Sequence, residues 1–498
     1  MLEKIISLAD ISLIDFLGVS NANLQALMNA FPQTKIIARG EQLTIRGSDD
    51  QISLVEAIVN QCIAHLESHS SLSVKYMTLF IDGVLNPTGE EKVTPWVDDK
   101  DVLLFGNKGI VIKVKTPNQR KLVESTSKKD IVFAIGPAGT GKTYTLNSLL
   151  KYAVKAGELS PAQIRLVAPT GRAARRIADG LAELRKQPAF AELVEPQTIH
   201  SLLYEPEAFD GMQLLVVDES SMVDLMLFND VIDKLPAGCS LVLVGDPNQL
   251  PSVEVGSVLA DLCEAPALAA NKVQLVRQVR SKDAPEIMRF ADSVLGGQGR
   301  EAVSLIPPTP EAVLELILPA YGALRDKARE GDVTGAMALV DEVRVLCSHV
   351  RGPLGAETLA RLIADKLDIR VSPPGSGSLI MVTKNDRRGT GLSNGDVGVM
   401  VGGLVYFRGH AAGFDINRLP EYASAFATTI HKAQGSEYGH AVVVLGSSQR
   451  EGFLNRQLIY TGITRARKQV TLVADRTDFL AACVREVPRA SGLKQRLI

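Results

Sequence analysis

A chain of 498 residues is too long for one ordinary core, and its length alone suggests about three domains. With 46% hydrophobic and 22% charged residues it has the balance of a soluble globular protein. No apolar run approaches the roughly 20 residues of a membrane span, and no charged-then-apolar leader opens the chain, so a cytoplasmic location is expected. A net charge of −2 excludes a molecule that is basic overall but leaves room for a local basic groove.

The first seventy residues predict a small α+β module. NANLQALMNAF and ISLVEAIVNQCIAHLESH have helical spacing, and KIIARG and QLTIRG are two short strands around a turn. Residues 71–112 are expected to be a linker with a hairpin in VLLFGNKGIVIKV. Beyond Thr116 the texture changes. IVFAI, IRLVAP, LLVVDE and CSLVLVGD are apolar runs, each followed by a turn and a helical stretch, which is the pattern of a parallel sheet with crossover helices. A helical zone at 281–342 separates this set from a second one containing VRVLCSHV, SLIMVTK, HAVVVLG and QVTLVAD. The Gly-rich NGDVGVMVGGLVYFRG predicts a small β insert, placed at about 394–426. Two α/β domains, 113–280 and 281–498, are therefore expected. Cys62, Cys239, Cys263, Cys347 and Cys483 lie far apart with no C-x-x-C pair, so buried reduced thiols are expected rather than a zinc site or disulfides.

The chemistry begins at IVFAIGPAGTGKT, where a strand runs into Gly136, Pro137, Ala138, Gly139, Thr140, Gly141, Lys142, Thr143 and then Tyr144. Glycines let backbone N–H groups approach phosphates, Lys142 can reach the β- and γ-phosphates, and the Thr143 hydroxyl can hold Mg²⁺. The pattern points to ATP. Gln119 lies upstream, and its amide can both donate to and accept from an adenine edge. LLVVDES ends a strand in two acids: Asp218 is placed to hold Mg²⁺ and Glu219 to polarise the attacking water. In LVLVGDPNQLPSV another strand ends in Gly245-Asp246, and Gln249 is placed to sense the γ-phosphate.

GDPNQLP resembles motif III of superfamily 1 helicases, and the rest of that series follows in order. APTGRAARRI resembles motif Ia, which implies Thr170, Arg172 and nearby arginines at the nucleic-acid backbone. TIHSLL, with His200, takes the place of the next DNA-contacting motif. LVRQVRS resembles motif IV, with Arg277 implied at the γ-phosphate. ATTIHKAQGSEY resembles motif V, which implies Thr429, His431, Lys432 and Gln434 as strand contacts. IYTGITRARKQV resembles motif VI, with Arg465 as arginine finger. The other histidines (His65, His69, His349, His410, His440) are expected to be structural or solvated.

Over about 146–498 the chain is similar to RecD, of superfamily 1B, through VRVLCSHVRGPLGAETL, MVTKNDRRGTGLSNGDVGVM and RASGL. The resemblance implies two RecA-like domains and an SH3-like insert guiding single-stranded DNA, with Asn394 among the contacts. It also implies 5′-to-3′ helicase activity in repair or recombination. The N-terminal domain by which RecD meets RecC has no recognisable counterpart, which leaves RecB- and RecC-like partners open. From Met1 to about Tyr144 the chain resembles PhoH, which implies a KH-like module at 1–70 and a link to RNA. The G-x-x-G of KH domains is incomplete after Gly18. A join at the shared phosphate loop suggests a chimera, natural or engineered. Two alternatives to a DNA helicase follow: an RNA-stimulated ATPase or RNA helicase, and a nucleotide-dependent nucleic-acid binder that does not unwind.

Overall fold

The computed structural model describes the chain outside residues 1, 9–11, 19–20, 41, 69–71, 73, 86–101, 107–109, 114–116, 127, 138, 156–157, 253, 255, 276–283, 300–304, 387–388, 447–452, 487–492 and 497–498. Its contacts divide it into two units, Met1–Lys115 and Thr116–Ile498.

In the first unit, β1 (Leu2–Ser7), β2 (Lys35–Arg39) and β3 (Gln42–Gly47) form an antiparallel sheet in the order β1-β3-β2. Alternation sets its faces: Leu43 and Ile45 are buried while Gln42 and Arg46 are exposed. The helices Ala22–Ala30, Asp49–Ser68 and Val74–Leu85 share one core with it, including Leu27, Val55, Ile58, Met77 and Phe80. The helix at 74–85 stands where the sequence predicts a linker. Four buried apolar residues (Leu72, Met77, Phe80, Ile81) across a stretch of irregular composition explain it. The expected hairpin is present as β4 (Val102–Gly106) and β5 (Ile110–Lys113).

The second unit holds two parallel sheets. The first lobe contains β6 (Ile131–Ile135), β7 (Ile164–Ala168), β8 (Gln197–Thr198), β9 (Leu214–Val217), β10 (Ser240–Gly245) and β11 (Lys272–Gln274), in the order β11-β6-β10-β9-β7-β8. The central strands are buried on both faces, which is why they read as unbroken apolar runs. Leu241, Val242, Leu243 and Val244 of β10 are all buried, each contributing about 1.5–3 kcal/mol by the usual transfer values.

The second lobe begins with β12 (Leu305–Ile306) and β13 (Val343–Cys347). An antiparallel insert follows, made of β14 (Leu379–Val382), β15 (Val397–Val401), β16 (Leu404–Phe407), β17 (Phe414–Asp415) and β18 (Tyr422–Ser424). The lobe then closes with β19 (Ala427–Thr429), β20 (Tyr438–Val444) and β21 (Ala466–Val473), in the order β12-β21-β20-β13-β19. The sequence pattern puts the run SLIMVTK in the second strand-and-helix set, but β14 pairs antiparallel with β15 and β18 and belongs to the insert. The insert sheet therefore starts before residue 394. All five cysteines are free and buried.

Candidate nucleotide site and lobe junction

β6 ends at Ile135, and the loop that follows is built against its neighbours. The Gly136 N–H donates to the Gly245 carbonyl at 3.1 Å. A Cβ at 136 would lie 2.5 Å from the Leu275 carbonyl oxygen and 2.8 Å from Thr140 Oγ1, so the position has room only for glycine. Gly139 and Gly141 take φ of 85° and 77°, the left-handed region that glycine enters without steric cost. Lys142 Nζ donates to the carbonyls of Gly136 (2.7 Å) and Pro137 (2.9 Å), which fixes the ammonium over the loop. Thr143 lies in the first turn of the helix Lys142–Lys155, close enough to the neighbouring helix that a Cβ on Gly180 would come within 2.9 Å of its methyl. Tyr144 is exposed. Gln119 lies in the first turn of the helix Pro117–Thr126. Ala138 and Arg277 lie outside the described residues.

Two buried carboxylates face this loop from neighbouring strand tips. Asp218 follows β9, and its Oδ1 accepts from the Glu219 N–H at 2.8 Å. Burial, then repulsion from Glu219, raise its carboxyl to about 6 against the pull of Lys142 and Arg176. Asp246 follows β10; burial raises its carboxyl too, opposed by Lys142 and by a hydrogen bond from Tyr460. Gln249 is buried and its Nε2 donates to Asp246 Oδ2 at 3.3 Å. Glu219 has φ 50°, a left-handed conformation that costs a residue other than glycine about 1–2 kcal/mol.

The junction with the second lobe is made by the same segment. Tyr460 Oη donates to Asp246 Oδ2 at 2.7 Å. Leu250 packs into the core of the second lobe beside Ile430 and Tyr460. Both of its peptide groups are held there: its N–H donates to Thr461 Oγ1 at 2.8 Å, and its carbonyl accepts from Gln434 Nε2 at 2.9 Å. Gln434, expected at nucleic acid, is therefore placed at the lobe junction. Arg465 is buried, donating to the carbonyls of Thr461 (3.1 Å) and Ser436 (3.2 Å) and to Thr464 Oγ1 (3.3 Å), all within its own lobe.

The remaining expected contacts form a second group. Thr170 caps the helix Gly171–Arg185 by accepting from the Ala173 N–H. Arg172 donates to the Gly395 carbonyl at 3.2 Å, and Arg175 pairs with Asp396 at 2.6 Å, so this helix meets the insert loop that carries the exposed Asn394. His200 and Lys432 are exposed, Thr429 is buried, and His431 is half-buried with its imidazole pKa lowered by burial. Arg176, half-buried, pairs with Glu437 at 2.5 Å and Glu219 at 3.8 Å. Asp246 and Tyr460 have no role in the sequence reading, and Arg176 is expected there only among the arginines near nucleic acid, not beside Glu219. Asp246 carried a signal, an acid at a strand tip beside a phosphate loop. So did Arg176, since residues 172, 175 and 176 share one helical face. Tyr460 carried none.

Among the described residues, no group of three or more His, Cys, Asp or Glu side chains could hold a metal ion. One hydroxyl and one carboxylate, completed by phosphate oxygens and water, are nevertheless a donor set that Mg²⁺ accepts, and Thr143 in the first turn of its helix and the buried Asp218 are of that chemistry. No helix among the described residues is long and apolar enough to cross a membrane.

Residues 115–307 match a family described as an AAA domain, and residues 424–473 one described as a UvrD-like helicase C-terminal domain. The chain is 26% identical over 260 residues to a PhoH-like protein of Mycobacterium bovis, covering 48% of this chain and 71% of that one. It is 29% identical over 402 residues to an ATP-dependent RecD2 DNA helicase of Deinococcus radiodurans, covering 76% of this chain and 52% of that one. It is 35% identical over 422 residues to the RecBCD enzyme subunit RecD of Mycolicibacterium smegmatis, covering 76% of this chain and 74% of the relative. On that extent of identity, the chain belongs to the RecD family.

Proposed function

We propose that this RecD-family protein is an ATP-dependent DNA helicase that moves 5′-to-3′ on single-stranded DNA, with two RecA-like lobes as its motor. The observation that carries this reading is the junction at Leu250. One segment, 245–250, supplies Asp246 beside the phosphate loop and hands its backbone to Thr461 and Gln434 of the second lobe. A change at the nucleotide thus moves the lobes relative to one another, which is what a translocating motor requires.

Nucleotide would be held by the loop 136–143 and Gln119, with Lys142 exchanging its loop carbonyls for phosphate oxygens. Mg²⁺, held by Thr143 and Asp218, neutralises phosphate charge when bound. Glu219 takes the proton of the attacking water, Gln249 reports on the terminal phosphate, and Arg277 and Arg465 stabilise the developing charge. Arg465 has to leave its carbonyl partners in the second lobe to do so, which ties hydrolysis to lobe closure. Thr170, Arg172, His200, Asn394, Thr429, His431 and Lys432 would line the strand's path, with the antiparallel insert acting as an SH3-like guide. Domain limits of 113–280 and 281–498 follow from this reading.

A second reading assigns the N-terminal unit to a KH-like, PhoH-derived module fused at the phosphate loop, with RNA as the stimulating strand. The three-stranded α+β unit and the partial PhoH-like match support it. Unwinding of duplexes with a 5′ or a 3′ single-stranded tail separates the readings when ATP turnover is measured alongside with DNA, RNA and neither. Activity on the 5′-tailed DNA alone is expected. Reversed or equal preference would refute the polarity, and stimulation by RNA alone would replace the first reading with the second. RecB- or RecC-like partners, single-stranded DNA aside, would be tested by co-purification.

A further inference from the structure

The helix Gly171–Arg185 carries three arginines on one face, and each is used differently. Arg172 and Arg175 reach the insert loop at Gly395 and Asp396. Arg176 turns toward the hydrolytic site, where it is shared between Glu437 at 2.5 Å and Glu219 at 3.8 Å. Glu219 is also one of three residues other than glycine with positive φ among the described residues. Strain of this kind persists where the surroundings over-determine a conformation, and it gathers at functional sites. An acid held in a costly backbone state, beside a cation that has a better partner, is poised between two positions.

We propose that Arg176 is a positioning residue that restrains Glu219 until nucleic acid binds and then releases it while remaining with Glu437. The proposal rests on Glu219 being the group that activates water. Lying beside the guanidinium, the carboxylate is held toward Arg176 and away from the water it would activate. The 3.8 Å contact is the looser of the two, so it is the one that breaks. Arg172, Arg175 and Arg176 share one face of the helix. Phosphates that compete for Arg172 and Arg175 at its first turns therefore carry Arg176 with them, and hydrolysis comes to sense the strand.

The test measures ATP turnover by the full chain with and without single-stranded DNA. Arg176→Gln is expected to raise the DNA-free rate about fivefold and bring the stimulation ratio toward unity, the scale of one partly exposed ion pair. Glu437→Gln leaves Glu219 as the competing carboxylate and is expected to lower the stimulated rate about fivefold with KM for ATP unchanged. The double variant should behave as Arg176→Gln. A lower DNA-free rate in Arg176→Gln with an unchanged ratio, or additive effects in the double variant, would overturn the proposal. Should Arg176→Gln not fold, Glu437→Gln decides alone, and a wild-type stimulated rate sinks the idea. A wild-type protein without DNA-stimulated turnover would instead strike the helicase reading, and the proposal with it.

Discussion

Tyr460 and Asp246 are 214 residues apart in sequence and share a buried 2.7 Å hydrogen bond across the two lobes. The carboxylate accepts, and burial together with the Asp246 charge holds the phenol well above its ordinary pKa, so the tyrosine stays a donor at any physiological pH. Tyr460→Phe keeps the ring and removes the donor. A hydrogen bond to a charged group is worth about 1.5–3 kcal/mol, so denaturant unfolding should show a loss of that order. ATP turnover should fall as well, because the lobes lose a link at the phosphate end. Unchanged stability and turnover would mean that the bond is incidental.

Lys142→Ala removes the cation that the phosphate loop is built to hold. Losing one preorganised electrostatic stabiliser costs at least about 10²-fold in rate, so ATP turnover and unwinding should both disappear into background. Far-UV circular dichroism should stay unchanged, since the hydrogen bonds lost are those of one ammonium to two loop carbonyls. Retained unwinding would defeat the assignment of the nucleotide site.

Asp218 gives a pH signature. Its folded-state pKa is raised, from 3.8 to about 6, so the folded protein binds this proton more tightly than the unfolded chain does. Its contribution to stability is therefore full below pH 3.8, declines between 3.8 and about 6, and is flat above. Metal binding requires the deprotonated ligand. Added Mg²⁺ should accordingly raise the melting temperature of the nucleotide-bound protein at about pH 7.5 and have little effect at about pH 5. Asp218→Asn should flatten this difference. Equal stabilisation at both pH values would remove Asp218 from the Mg²⁺ site.

Lys432 is exposed on the segment that follows β19 and is expected to meet phosphate. Lys432→Ala should weaken single-stranded DNA binding equally for all sequences and reduce the slope of log affinity against log salt by about 0.7. Fluorescence anisotropy at several salt concentrations measures both. A sequence-dependent loss with the slope unchanged would point to a base contact instead.

Much of this was legible in the sequence, and the exceptions have physical causes. LVLVG and LLVV are buried on both faces, so unbroken apolar runs next to glycine and acid marked them as central strands. β8 and β11, of two and three residues, are too short to carry a period. LIMV of β14 is also an apolar run, and four such residues say nothing about which neighbours they pair with, so the pattern alone does not reveal that it belongs to the insert. The phosphate loop and its acids could be found because their chemistry is local. Tyr460 could not, because its partner is set by how two lobes meet.

The grip on Leu250 is a grip on the chain's trace. Thr461 and Gln434 hold an amide hydrogen and a carbonyl oxygen that any ordinary residue at 250 would present. Swapping the leucine for another side chain changes how well the socket is filled, yet the latch still engages. Only a residue without an amide hydrogen, a proline, would unhook half of it. The joint between fuel and movement is thus insured against most single substitutions at its own centre, and its weak points lie in the two side chains that reach across to it.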